Sequence, residues 1–112
     1  MTPSNRLEAL RQWTTVVADT GDIDEIARLK PTEATTNPSL ILKAVRTARG
    51  EAILAAARCA NESPRLRIDR VVTDFGKAIL EHIPGRVSTE VDARLSFDTR
   101  ATVEKARRLI AL

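Results

Sequence analysis

Three polar side chains lie where short β-branched runs of the sequence end, and their chemistry suits work on sugars. Asp19 closes a run rich in threonine and valine, Asn37 follows a shorter run, and Glu90 lies near the end of a third. One carboxylate can move protons, a second can activate water, and an amide can hold a hydroxyl group. If the runs are parallel strands, their carboxyl ends meet at one rim. The three residues therefore predict a site for polyol or sugar chemistry.

Each of these residues also has an ordinary structural interpretation. Asp19 can close a turn and Asn37 can cap a helix. Glu90 can pair with Arg86 or Arg94 on the protein surface. Spacing alone leaves the structural and the catalytic interpretations open.

Two further reactive side chains are assigned no catalytic role. His82 lies near a predicted helix end, where contact with the helix dipole or with water is expected. Cys59 is interpreted as a small packing residue, because no histidine lies near it in the sequence. Since it is the only cysteine, we expect no intrachain disulfide, no cysteine-rich metal site and a reducing compartment.

The β-branched runs predict three strands, each of which leads into a helix. The predicted strands cover residues 14–18, 33–36 and 86–91. We expect the first to be buried on both faces, as strands of parallel sheets commonly are.

Capping residues and apolar spacing predict the helices. Asn5 with Glu8 three residues later is a capping-box pattern, Asp22 begins a helix in the same way, and Asp98 is placed to cap the last one. The predicted helices cover residues 6–12, 23–29, 40–59, 68–83 and the stretch beyond residue 98. The third of these is one bent helix or two, since Gly50 can break it.

Strands that alternate with helices predict an α/β fold with parallel pairing through right-handed crossovers. On this interpretation residues 1–112 are a single partial domain, with a short helix and the first three strand-helix units of a TIM-type (β/α)8 barrel. A closed barrel of this type needs eight strands and about 250 residues. We therefore expect an incomplete barrel, whose open sheet edges favour self-association.

The charge pattern gives little support for a nucleic-acid partner. Eighteen Lys and Arg residues stand against fifteen Asp and Glu residues, a net charge of +3. The basic stretches Arg65–Arg70 and Lys105–Arg108 are interpreted as solvated helix faces, because acidic residues interleave with them and stacking aromatics do not. Neither a signal peptide nor a membrane-spanning apolar run is recognisable, so we expect a soluble cytoplasmic protein.

Three segments of the chain resemble transaldolases. They read TTVVADTGD at residues 14–22, ATTNPSL at 34–40 and GRVSTEVDAR at 85–94. The likeness runs in the same order over essentially the whole chain, and the second and third segments are highly specific. The chain resembles the N-terminal part of the long bacterial type, although the stretch between Asn37 and Glu90 is shorter than that type leads us to expect.

The resemblance implies a function and a role for each rim residue. Transaldolases are barrels of the pentose phosphate pathway that move a dihydroxyacetone unit from sedoheptulose 7-phosphate to glyceraldehyde 3-phosphate through a lysine Schiff base, without a cofactor. Asp19 matches the acid/base aspartate, and Glu90 matches the glutamate that activates water. Asn37 matches the substrate-holding asparagine, with Thr35 and Ser88 as supporting substrate-binding residues.

The family's Schiff-base lysine lies on the fourth strand, and no lysine of this chain matches it. The sequence has Lys30, Lys43, Lys77 and Lys105, of which the first precedes the second strand and the others lie on predicted outer helices. We therefore expect a truncated transaldolase that lacks the nucleophile and is inactive alone. The alternative is a non-catalytic remnant that associates with itself or with another barrel chain.

Overall fold

Three short strands form one parallel sheet in the computed structural model, which describes residues 2–112. The strands are Val17–Asp19 (β1), Glu33–Thr35 (β2) and Val87–Ser88 (β3), in the spatial order β1-β2-β3. Both pairings are parallel. Each connection therefore passes through helices, as the alternating pattern of the sequence predicts.

Six α-helices precede, join and follow the strands within residues 2–112. They are Arg6–Arg11 (α1), Ile23–Leu29 (α2), Pro38–Ala44 (α3), Ala48–Cys59 (α4), Pro64–Leu80 (α5) and Thr99–Ala111 (α6), with a short 3-10 helix at Ala93–Leu95. None of these helices has the length and apolar character that a crossing of a lipid bilayer requires. The predicted helices are confirmed, with their ends displaced by a few residues.

Side-chain caps set several helix starts, as the sequence predicts. Asn5 accepts a hydrogen bond from the Glu8 amide at 2.9 Å, and Asp22 accepts from two amides in the first turn of α2. The Glu8 carboxylate reaches back across the helix start and accepts from the Ser4 amide at 2.9 Å.

The long middle helix is two helices, and its break lies elsewhere than expected. The chain leaves α3 at Val45, and Thr47 caps α4, so Gly50 lies inside α4. A Cβ atom at Gly50 would overlap the carbonyl oxygen of Ala44. Glycine at this position thus lets the start of α4 approach the end of α3, and it does not break the helix.

The two faces of the sheet differ in burial, which corrects the expectation for the first strand. Ala18, Ala34 and Val87 lie in register on the face that packs against the helices. Around them the main core is built from α2, α3, α4 and α5, and Phe75 is its largest fully buried side chain. On the opposite face Val17 is 45% exposed, and Ala18 on the inner face is half-buried, so β1 is not buried on both faces.

Candidate active site

The last residues of the three strands form one row at the carboxyl edge of the sheet. Asp19 ends β1, Thr35 ends β2 and Ser88 ends β3. Their Cα atoms are register partners, Asp19 with Thr35 and Thr35 with Ser88. Because alternate residues of a strand point to opposite faces, all three lie on the exposed face of the sheet.

Asp19 and Thr35 contact each other directly. The Thr35 hydroxyl donates to Asp19 Oδ1 at 2.9 Å. Asp19 Oδ2 has no hydrogen-bond partner within residues 2–112, so one oxygen is anchored and the other is available. A carboxylate held in this way has the orientation and the free acceptor oxygen that are needed to take a proton from a bound hydroxyl group.

Asn37 caps a helix, as its structural interpretation predicts. Its side-chain oxygen accepts from the Leu40 amide at 2.9 Å and caps α3, with Pro38 at the first helical position. Among the described residues, its side-chain nitrogen donates to no partner. The cap fixes the amide two residues beyond the end of β2, close in sequence to Thr35.

Glu90 lies two residues beyond β3, and neither ion pair considered for it is formed. Arg86 pairs with Glu33 at 3.4 Å. Arg94 pairs with Asp92 through its guanidinium group. The Glu90 side chain is exposed and forms no hydrogen bond or ion pair with another residue in the range 2–112. The structure therefore does not bring Glu90 into contact with Asp19.

A buried ion pair lies beside Glu90 and was not predicted from the sequence. Lys105 is 8% exposed and Asp69 is 7% exposed, and the ammonium group donates to both carboxylate oxygens. The interpretation of Lys105 as part of a solvated helix face is therefore wrong. The available signal was its place on α6, four residues after Ala101 and four before Leu109, on the face that packs inward.

The loop that follows Glu90 carries its own charged pair. Asp92 accepts from the side chain and the backbone amide of Arg94. These hydrogen bonds, with a smaller contribution from the charge of Lys105, hold the pKa of Asp92 well below its usual range. Asp92 is therefore a fixed negative charge at the start of the 3-10 helix.

Neither His82 nor Cys59, which are assigned no catalytic role, belongs to the row at the carboxyl edge of the sheet. His82 lies 3.3 Å from Arg49, which also pairs with Asp24. Cys59 is an exposed free thiol at the end of α4, so its interpretation as a packing residue is wrong. No group of three or more His, Cys, Asp or Glu side chains in residues 2–112 is arranged to hold a metal ion.

The profile of one protein family matches most of the chain. Its description is transaldolase/fructose-6-phosphate aldolase, and the match covers residues 16–112, which include all five rim residues named above. The chain belongs to this family. The resemblance of the three sequence segments to transaldolases is thereby confirmed.

A curated transaldolase gives the same family assignment. The chain is 57% identical over 110 residues to a protein named transaldolase from Stutzerimonas stutzeri (strain A1501). The alignment covers 97% of this chain and 36% of that transaldolase. The chain therefore spans little more than a third of the length of its curated relative.

Proposed function

We propose that this chain supplies the proton-transfer side of a transaldolase-type active site in a TIM-type barrel. The observation that carries the proposal is the row Asp19, Thr35 and Ser88 at the carboxyl edge of three parallel strands, with Thr35 hydrogen-bonded to Asp19. In such barrels the carboxyl ends of the strands form the active site. Membership of the transaldolase/fructose-6-phosphate aldolase family supports the same assignment.

Each rim residue has a role in the proposed reaction. Asp19 takes the proton from a substrate hydroxyl group as the carbon-carbon bond breaks, and returns it when the new bond forms. Glu90 assists the loss of water when the Schiff base forms, and it activates the water that later hydrolyses the Schiff base. Thr35 orients Asp19, while Asn37 and Ser88 hold substrate hydroxyl groups. The substrates are sugar phosphates of the pentose phosphate pathway, and the proposed setting is the cytoplasm.

The proposed site draws its Schiff-base lysine from outside this chain. Lys30, Lys43 and Lys77 are exposed, and Lys30 lies just before β2, away from the carboxyl edge of the sheet. Lys105 is buried, but its ammonium group is held by both oxygens of Asp69. Lys43, Lys77 and Lys105 lie on helices, so none of the four lysines belongs to the row at the carboxyl edge of the sheet. We therefore propose that the chain alone does not catalyse the transfer.

The first test asks whether the purified chain forms an imine. The chain is incubated with fructose 6-phosphate, treated with borohydride and analysed by mass spectrometry. We expect no trapped adduct, whereas the Stutzerimonas transaldolase in the same experiment serves as the positive control. A stable adduct on any of the four lysines would contradict the proposal that the Schiff-base lysine is none of these four.

A second candidate function is that of a non-catalytic chain that associates with a second copy of itself. The exposed face of the sheet favours it, because Val17 is 45% exposed there and both edge strands have a free side. On the helical side Leu42 is 65% exposed and Ile68 is 64% exposed. Free strand edges and exposed apolar side chains favour association.

Sedimentation measures this association directly. Analytical ultracentrifugation of the purified chain over a range of concentrations is expected to show dimers or larger species. A well-folded monomer at all concentrations would count against self-association, and it would leave the proposed catalytic role unaffected.

A further inference from the structure

The buried pair of Asp69 and Lys105 joins two helices that come from different parts of the chain. Asp69 lies in α5 and Lys105 lies in α6, and the two residues are 36 positions apart in the sequence. Isolated surface pairs contribute little to stability, whereas a buried pair requires close geometry from both partners. The contact therefore fixes where α6 lies against α5.

Helix α6 also holds the segment that carries Glu90. We call residues 89–95, which run from β3 through the 3-10 helix, the Glu90 segment. The Thr102 hydroxyl of α6 donates to the carbonyl oxygen of Leu95 at 2.8 Å, at the far end of this segment. The charge of Lys105 also acts on Asp92, in the middle of the segment. Helix α6 thus holds the far end of the Glu90 segment through the Thr102 hydrogen bond, and Lys105 lines the same cavity as Asp92 in the middle of the segment.

A single cavity connects the pair with Glu90. The cavity has a volume of about 340 Å³, and its walls include Glu90, Asp92, Asp69 and Lys105. Pro38, at the start of α3 beside the Asn37 cap, completes the side toward β2. The buried pair and Glu90 therefore line the same cavity.

We propose that Lys105, held by Asp69, is a positioning residue that fixes the Glu90 segment at the carboxyl end of β3. The inference rests on the proposed role of Glu90 for its catalytic meaning. Lys105 makes no contact with the reacting atoms on this account. It holds α6 in place, and α6 holds the Glu90 segment through Thr102, so that Glu90 is presented from an ordered loop.

Residue-resolved hydrogen exchange of the full chain tests this proposal. The test variant is D69L/K105M, which removes both charges and leaves no unpaired buried group. The probes are the amides of Arg94, Leu95 and Ser96, which donate to acceptors within residues 92–93. In the variant we expect these amides to exchange at least about tenfold faster, because the ion pair no longer fixes α6, to which Thr102 ties the segment.

The sheet provides the internal control. The amides of Ala34 and Thr36 donate to carbonyl groups of Arg86 and Ser88, and their exchange is expected to change less than about twofold. A matched variant, R100M, removes a cation from the exposed side of α6 and is expected to leave both sets of amides unchanged. Uniformly faster exchange, or no change in the Glu90 segment, would overturn the positioning role. Neither result depends on whether Glu90 activates water, so the two proposals can fail separately.

Discussion

Replacing Lys105 by methionine is expected to lower the free energy of unfolding by about 3–5 kcal/mol, the usual cost of breaking a buried ion pair from one side. The substitution leaves the Asp69 carboxylate buried at 7% exposure without its cation. Removing the carboxylate instead, in D69L, is expected to cost a similar amount. Such a loss is a large fraction of the stability of an ordinary domain. Urea denaturation followed by circular dichroism, at fixed protein concentration, measures it.

The double variant separates the cost of an unpaired charge from the value of the pair. D69L/K105M is expected to be close to the unmodified chain in stability, because apolar side chains fill the site without a desolvation penalty. R100M, which breaks the exposed pair with Glu104 on the same helix, is expected to cost less than about 0.5 kcal/mol. Exposed ion pairs contribute up to about 1 kcal/mol. If K105M lowered the free energy of unfolding by less than this amount, the buried position of Lys105 would be wrong.

Local sequence signals predicted the order of the elements better than their ends. The run at residues 14–18 marked the first strand, but the strand that forms is Val17–Asp19. The ends of this strand are set by its pairing with Glu33–Thr35. The residues of the run itself do not indicate where that pairing begins and ends. Gly50 similarly suggested a helix break from its intrinsic preference, whereas its environment shows that close packing against Ala44 requires it. Both differences arise from contacts between elements.

Some contacts of the candidate site were predictable from the sequence, and others depend on how separate elements pack. The proximity of Asp19 and Thr35 follows from strand alternation and the parallel sheet, both of which were predictable. The cap at Asn37 was predictable from its position before Pro38. The pair of Asp69 and Lys105 was not, because it depends on how α5 and α6 pack across 36 residues of sequence. A charged residue within an inward-facing helical stripe was the one available signal.

Asp19 is expected to be indispensable wherever the chain takes part in catalysis. The experiment uses a chimera in which this chain's 110 aligned residues replace the corresponding segment of the Stutzerimonas transaldolase. In the chimera, D19N is expected to lower kcat by about 10²–10⁴-fold, the usual contribution of a positioned acid/base group. D24N makes the same change on α2, where the carboxylate pairs with Arg49 on the surface, and it is expected to leave kcat unchanged.

The transfer activity of this chimera is the most direct measurement of whether the chain carries a working half of a transaldolase site. We predict that the folded chimera transfers a dihydroxyacetone unit from sedoheptulose 7-phosphate to glyceraldehyde 3-phosphate, and that D19N alone abolishes most of this activity. A folded chimera without activity, or one whose D19N variant keeps its full rate, would contradict the account.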